Sequence, residues 1–295
     1  MAVLVVAAVV TAACQSAAER GRAGFNVVTT TPVLADLVDS ILGEAGTARS
    51  LAPPGADPHE FIVAGIQERL VEDADLVVVN GAGLERDLGD ILGHAERSGV
   101  EVMVASRQLT NAAQTAEGRI DPHFWLDPDQ MAAVALALGD RMGDVDPDHA
   151  ARFQDAARAR SGELRALAGD LEEILGPVAE SRRGLVTHHD FLRAFARRFG
   201  FTVLATVIPG FSSQGQPSAS SRLAVVETID DRGVCALFVP ESADDTLARS
   251  VASEAGRDVA IVRLLADTLG GPDRGYDEAM RENASRMARA LTSCQ

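Results

Sequence analysis

The stretch Asp148–Leu175, DHAARFQDAARARSGELRALAGDLEEIL, reads as one long helix of Ala, Arg, Glu and Leu, interrupted only by Gly162 and Gly169. Leu164, Leu167, Leu171 and Leu175 recur at three- and four-residue spacing and so line a single helical face. On both sides of this run the pattern changes to short apolar strands alternating with helices. Before it, Phe25–Thr30, Leu76–Val79 and Val100–Val104 read as strands, with helices at Val33–Leu42, Ile66–Ala74 and Leu84–Ala95. After it, strands are expected at Gly184–Thr187, Phe201–Val207, Val234–Val239 and Val259–Leu264, and a last helix at Tyr276–Leu291. Strands separated by helices imply parallel sheets, with ligand loops at the strands' carboxyl ends. The predicted fold is α/β, with two lobes joined by one long backbone helix. The lobes span 25–145 and 178–295, and the connecting helix 146–177.

Composition narrows the function. The chain has 295 residues, enough for about two domains of roughly 150 residues. Acidic residues outnumber basic ones 43 to 27, for a net charge of -16. A nucleic-acid binder needs a basic face, so that class is excluded. Every basic residue is arginine. The absence of lysine removes a Walker phosphate loop and lysine Schiff-base chemistry.

Residues Ala2 to Ala13 form an uncharged apolar run, too short for the about 20 residues of a membrane span but suited to the core of an export signal. It ends in Thr11-Ala12-Ala13-Cys14, which resembles the lipobox of bacterial lipoproteins and implies cleavage after residue 13 and lipidation of Cys14. Thr11 replaces the commoner Leu or Val, and no Arg precedes the run; the alternative is a soluble secreted protein. A polar linker over 14–24 would follow. Cys235 and Cys294 remain, and an even remainder in an exported chain points to one disulfide, against the alternative of two free thiols.

The chemistry concentrates in histidines, of which there are 6. His59 and His123 end the same tripeptide, Asp57-Pro58-His59 and Asp121-Pro122-His123, where proline stiffens the backbone. His189 follows the strand Gly184–Thr187. All three fall where an α/β lobe presents ligand groups, and a metal could collect them only by drawing on both lobes. His94 and His149 sit in polar helical stretches and read as solvated.

The ordered segments Pro53–Phe61 (PPGADPHEF), Asp121–Pro128 (DPHFWLDP), Val186–Phe191 (VTHHDF) and Leu265–Gly270 (LADTLG) resemble the zinc- and manganese-binding solute receptors of bacterial ABC transporters, over about residues 25 to 291. The resemblance implies a two-lobed receptor with the metal between its lobes, held here by His59, His123, His189 and Asp267. His189 is preferred over His188 because the family's ligand directly precedes an Asp and an aromatic-rich helix, and strand neighbours face opposite sides. Asp267 could instead be a turn or capping residue. The family often has a Glu ending the strand at Val239, where this chain has Pro240, with Glu241 one place later. Asp57, Asp121 and Asp190 could orient imidazoles or simply form turns.

Three imidazoles and a carboxylate suit Zn²⁺, whereas Mn²⁺, the alternative cargo, prefers more oxygen donors. Four protein ligands would close the water position that a zinc hydrolase requires, and neither a His-Glu-x-x-His helix nor a Gly-x-Ser-x-Gly elbow is present. The expected protein is therefore no enzyme; a metal-dependent surface adhesin is a third reading. As a receptor it would be a monomer, anchored to the cell membrane outside the cytoplasm by lipid alone. It would deliver metal to a separate permease and, through it, an ATPase.

Overall fold

The computed structural model describes residues 24–293, apart from 63, 64, 86, 87, 214, 272 and 273. The export signal, Cys14 and Cys294 lie outside the described residues. The first sheet comprises β1 (Phe25–Thr29), β2 (Gly46–Ser50), β3 (Leu76–Val79) and β4 (Glu101–Val104), in the order β2-β1-β3-β4 and parallel throughout. The second comprises β5 (Gly184–Thr187), β6 (Thr202–Thr206), β7 (Ala236–Pro240) and β8 (Ala260–Leu264), in the order β6-β5-β7-β8, again parallel. The same strand order recurs in both. In each sheet the order reverses between two central strands, where such folds open a ligand crevice beyond the carboxyl ends.

Helices α1 (Pro32–Leu42), α2 (Ile66–Glu72) and α3 (Leu88–Ser98) accompany the first sheet; α6 (Arg193–Phe199), α7 (Ala219–Arg232), α8 (Thr246–Glu254) and α9 (Tyr276–Thr292) accompany the second. Between them lie α4 (Pro128–Val145) and α5 (Ala150–Leu175). Local chemistry sets their ends. The Asp127 side chain accepts from the amide of Asp129, and Pro128 fills the first helical turn of α4, where its missing N–H is not needed. Asp146-Pro147 then stops α4, because a residue before proline disfavours helical backbone. The 26 residues of α5 span about 39 Å, enough to run along both lobes. Among the described residues, no helix is long and apolar enough to cross a membrane.

Leu164, Leu167, Leu171 and Leu175 are all buried, as their spacing predicts. They belong to one continuous core that also holds Phe25 and Val27 of the first lobe and Phe191, Phe195 and Phe238 of the second. Each such side chain contributes about 1.5–3 kcal/mol by leaving water. An ion pair from Arg160 of α5 to Asp277 of α9, at 2.6 Å, adds a polar tie. The lobes are thus fused through α5.

Two elements escape the sequence reading. Strand β2 (GTARS) has no apolar run: it is an edge strand of small and polar residues with alternating exposure, recruited by pairing with β1. Helix α4 is broken in pattern by Gly139 and Gly143, whose missing side chains let α5 approach closely. A Cβ on Gly139 would lie 2.4 Å from Cβ of Ala157 and 3.0 Å from the carbonyl oxygen of Phe153. Nothing lies within 4 Å of the equivalent position on Gly169 of α5. Opposite outcomes are expected from the same substitution. Gly169→Ala gains up to about 1 kcal/mol from helix propensity, whereas Gly139→Ala loses roughly 1–3 kcal/mol because packed backbone must move. Urea denaturation of the two variants checks this; equal effects would refute the close helix contact.

Candidate metal centre

His59 follows β2, His123 follows β4, His189 follows β5 and Asp267 follows β8, so all four occupy carboxyl-end loops. The structure brings the three histidines together: each offers a nitrogen within 4.8 Å of the others, and all three are buried. Nε2 of His123 lies 3.1 Å from Nε2 of His59 and 3.4 Å from Nε2 of His189. Around a zinc ion with Zn–N near 2.0–2.1 Å, tetrahedral angles place ligand nitrogens about 3.3–3.4 Å apart. The imidazoles therefore already stand at coordination spacing.

The aspartates divide the roles that the sequence left open. Asp121 orients: its Oδ1 accepts from both the amide and Nδ1–H of His123 at 2.9 Å, which leaves the His123 Nε2 lone pair facing the cluster. Its Oδ2 accepts from the amide of Ala194, at the start of α6, joining the lobes at the site. Asp57 forms a turn, accepting from the amide of His59 at 2.8 Å. Asp190 is engaged by Arg193.

Asp267 stands outside the tight histidine group but has the features of a waiting anion. The following turn is held by Thr268 Oγ1, which accepts from the amide of Gly270, so Asp267 is not its capping residue. Asp267 is 2% exposed. Its Oδ2 accepts from the Ser242 hydroxyl at 2.7 Å, while its Oδ1 is buried without a hydrogen-bond partner. A buried carboxylate oxygen left unpaired is costly, and a cation is the natural remedy. Burial pushes the Asp267 carboxyl up to about 6, against the pull of the His123 charge. Glu241 turns elsewhere: its carboxylate pairs with Arg286 of α9 at 2.5 Å. Ser242 was not anticipated from sequence, although its place just after a strand was a usable signal.

Aromatic rings wall the cluster. Trp125 and Phe211 stand 5.3 and 6.2 Å from the His123 ring, and Phe191 stands 5.3 Å from His189. Trp125 also donates its indole N–H to the carbonyl of Ala266 at 2.6 Å, and Tyr276 donates its hydroxyl to the carbonyl of Trp125 at 2.6 Å. The only tryptophan thus links the His123 loop to the Asp267 loop. His94 pairs with Glu72 and His149 with Asp146, both away from the site.

His188 departs from the expectation that it would face away from its neighbour. Strand β5 ends at Thr187, so strict alternation no longer governs the pair, and His188 remains buried beside His189.

Burial, helped by the charge of His123, pushes His59 down to about 3; burial and the neighbouring histidines hold His189 well below its ordinary value. An unfolded imidazole binds a proton near pH ~6.5, so acidification from there toward 3 favours the unfolded chain. Asp267 acts oppositely, since its folded carboxyl keeps a proton up to about 6 while the unfolded one releases it near ~3.9. At pH 5, His59 alone removes about 2 kcal/mol and Asp267 returns a little over 1 kcal/mol, with His189 adding to the loss. Between pH 7 and pH 5 the metal-stripped parent should therefore lose about 2 kcal/mol relative to a His59→Phe variant, which has no imidazole to titrate there. Scanning calorimetry of both proteins in chelator checks this, and a difference between them that does not change with pH would show that the His59 imidazole is not held neutral.

Three buried imidazoles collected from both lobes, beside a buried carboxylate at the carboxyl ends of two parallel sheets, form a candidate metal centre of a receptor. The comparisons name the family. The profile of the family described as "Zinc-uptake complex component A periplasmic" (ZnuA) matches residues 27–290, and the chain belongs to it. Among relatives, the "Manganese-binding lipoprotein MntA" of Halalkalibacterium halodurans is 26% identical over 98% of this chain and 97% of its own. The "Zinc-binding protein TroA" of Treponema pallidum is 27% identical over 73% of this chain and 70% of its own. The solved structure of the periplasmic zinc-binding protein TroA from Treponema pallidum superposes with a TM-score of 0.84, at 24% identity, covering 91% of this chain and 99% of that one. The protein is accordingly a metal-binding receptor of the ABC-transporter type.

Proposed function

We propose that the protein captures Zn²⁺ with His59, His123 and His189 and closes the coordination with Asp267. The observation that carries this reading is the pair of Nε2 separations, 3.1 and 3.4 Å, close to the about 3.3–3.4 Å spacing of a tetrahedral zinc ion. The unpaired Asp267 oxygen supports a fourth, anionic donor and hence a closed site suited to binding rather than hydrolysis. The relatives' names include both zinc and manganese; three imidazoles favour zinc, because manganese sites are richer in oxygen. The Cys14 motif and the relatives named as lipoproteins support an extracytoplasmic, lipid-anchored location. A separate permease and its ATPase are the partners of such a receptor, and no nucleic-acid role fits the acidic chain. We also propose a Cys235–Cys294 bridge, because the Cys235 sulfur lies 4.0 Å from the carbonyl of Ala290, on the helix that leads to residue 294.

The test is a titration of Zn²⁺ into chelator-stripped protein, read by Trp125 emission and followed by competition with Mn²⁺. A one-to-one endpoint is expected, since the indole sits 5.3 Å from His123, and His94→Ala should leave the curve unchanged. Preference for Mn²⁺ at equal free concentrations would overturn the zinc assignment. Zinc-dependent growth of a deletion strain separates the receptor from an adhesin.

A further inference from the structure

His189 Nε2 is the nitrogen turned toward His123. A lone pair offered there leaves the ring's proton on Nδ1, and a buried N–H requires an acceptor. For His123 that acceptor is the Asp121 carboxylate. For His189 the adjoining carboxylate, Asp190, takes Arg193 on its Oδ2 and has no hydrogen-bond partner on its Oδ1, so it does not reach the His189 ring; the group within reach is His188, whose Nδ1 lies 3.3 Å from the His189 Nδ1. Resting on the zinc reading above, we propose that His188 is the positioning residue of the third ligand. It acts as a neutral imidazole, protonated on Nε2, whose Nδ1 accepts the His189 N–H and so fixes the tautomer and direction of the metal-facing nitrogen.

The surroundings hold His188 in that role. Its amide donates to the carbonyl of Phe238 in β7 at 2.8 Å, and its carbonyl accepts from the amide of Ile208 at 2.7 Å, which clamps the residue between two neighbouring segments. The rings of His188 and His189 meet edge to face at 84°, and His188 is 4% exposed. With Asp57, Glu60 and Ser242 it lines a cavity of about 870 Å³ that reaches both lobes. The site is therefore asymmetric: His123 is backed by a charge and His189 by a neutral ring. A neutral acceptor raises ligand basicity less than a carboxylate does, so His189 is the more weakly held imidazole and the one that loosens first on release.

Proton–nitrogen correlation spectra of zinc-loaded protein with labelled histidine test the tautomer directly, without any substitution. A slowly exchanging Nδ1–H on His189, with metal on Nε2, is expected; metal on Nδ1, or no such proton, overturns the proposal. His188→Phe keeps a flat ring but has no acceptor, and should weaken Zn²⁺ binding roughly 10–100-fold in chelator competition. His188→Gln, whose amide oxygen can take the same N–H, should recover most of that loss. Equal losses in both variants would mean that the ring only packs, and would overturn the role. If His188→Phe binds like the parent while His123→Ala does not bind, only the His188 role falls. If His123→Ala itself binds like the parent, the site as a whole is wrong.

Discussion

Replacing His123 with alanine is expected to weaken Zn²⁺ binding by two to three orders of magnitude. Structural zinc sites with four protein ligands have apparent binding free energies of about 10–16 kcal/mol, or roughly 2.5–4 kcal/mol for each ligand. His123 is the central member: its Nε2 is the one in contact with both other imidazoles, and its Nδ1 is the one fixed by a carboxylate. The loss should be read by competition with a chelator of known affinity. His59→Ala and His189→Ala should follow in the same direction despite their distance in sequence, while His94→Ala should match the parent. Parent-like affinity in all three site variants would sink the inter-lobe centre.

Metal loading should also stabilise the fold strongly. A ligand at 1,000 times its dissociation constant adds about 4 kcal/mol when the unfolded chain does not bind it, worth roughly 6–7 °C in melting temperature for a chain of 295 residues. Chelation should remove that increment, and His123→Ala should keep at most about a third of it at the same free Zn²⁺. Asp267→Asn makes the sharper case. In the metal-free protein, Asp267 has an unpaired buried oxygen and a carboxyl pushed up to about 6, so its charge at neutral pH opposes folding. The amide should therefore raise metal-free stability by about 1–2 kcal/mol while weakening the response to zinc. Calorimetry of both proteins, with and without Zn²⁺, measures the two changes together. A variant less stable than the parent without metal, or equally stabilised by zinc, would show that Asp267 is a structural residue only.

The architecture was legible where the chain repeats a simple period. The leucine spacing in α5 and the strand–helix alternation on either side of it follow from which faces must be buried, so sequence places the strands and α5 within about two residues, whereas α3 lies three to four residues beyond its expected span. It passed over β2, because an edge strand of small and polar residues is stabilised by backbone pairing with β1 rather than by its own apolar pattern. It passed over α4 for a related reason: Gly139 and Gly143 weaken the helical signal locally but permit the contact with α5 that makes the helix favourable.

The sequence by itself determined which histidines are the candidate donors. The paired Asp-Pro-His tripeptides and the His189-Asp190 step are local arrangements whose stiffness and loop position can be read from adjacent residues. Which aspartate orients, which forms a turn and which binds an arginine was decided only in three dimensions. Asp57, Asp121 and Asp190 have similar local contexts, and their partners come from different places: the backbone nearby for Asp57, the imidazole of His123 and the distant Ala194 amide for Asp121, and Arg193 for Asp190. The same holds for Ser242 on Asp267, for Glu241 drawn away by Arg286, and for His188 turned toward His189. Hydrogen bonds and ion pairs depend on distances of a few tenths of an ångström between residues far apart in the chain, and only the packing of the two lobes around α5 sets those distances.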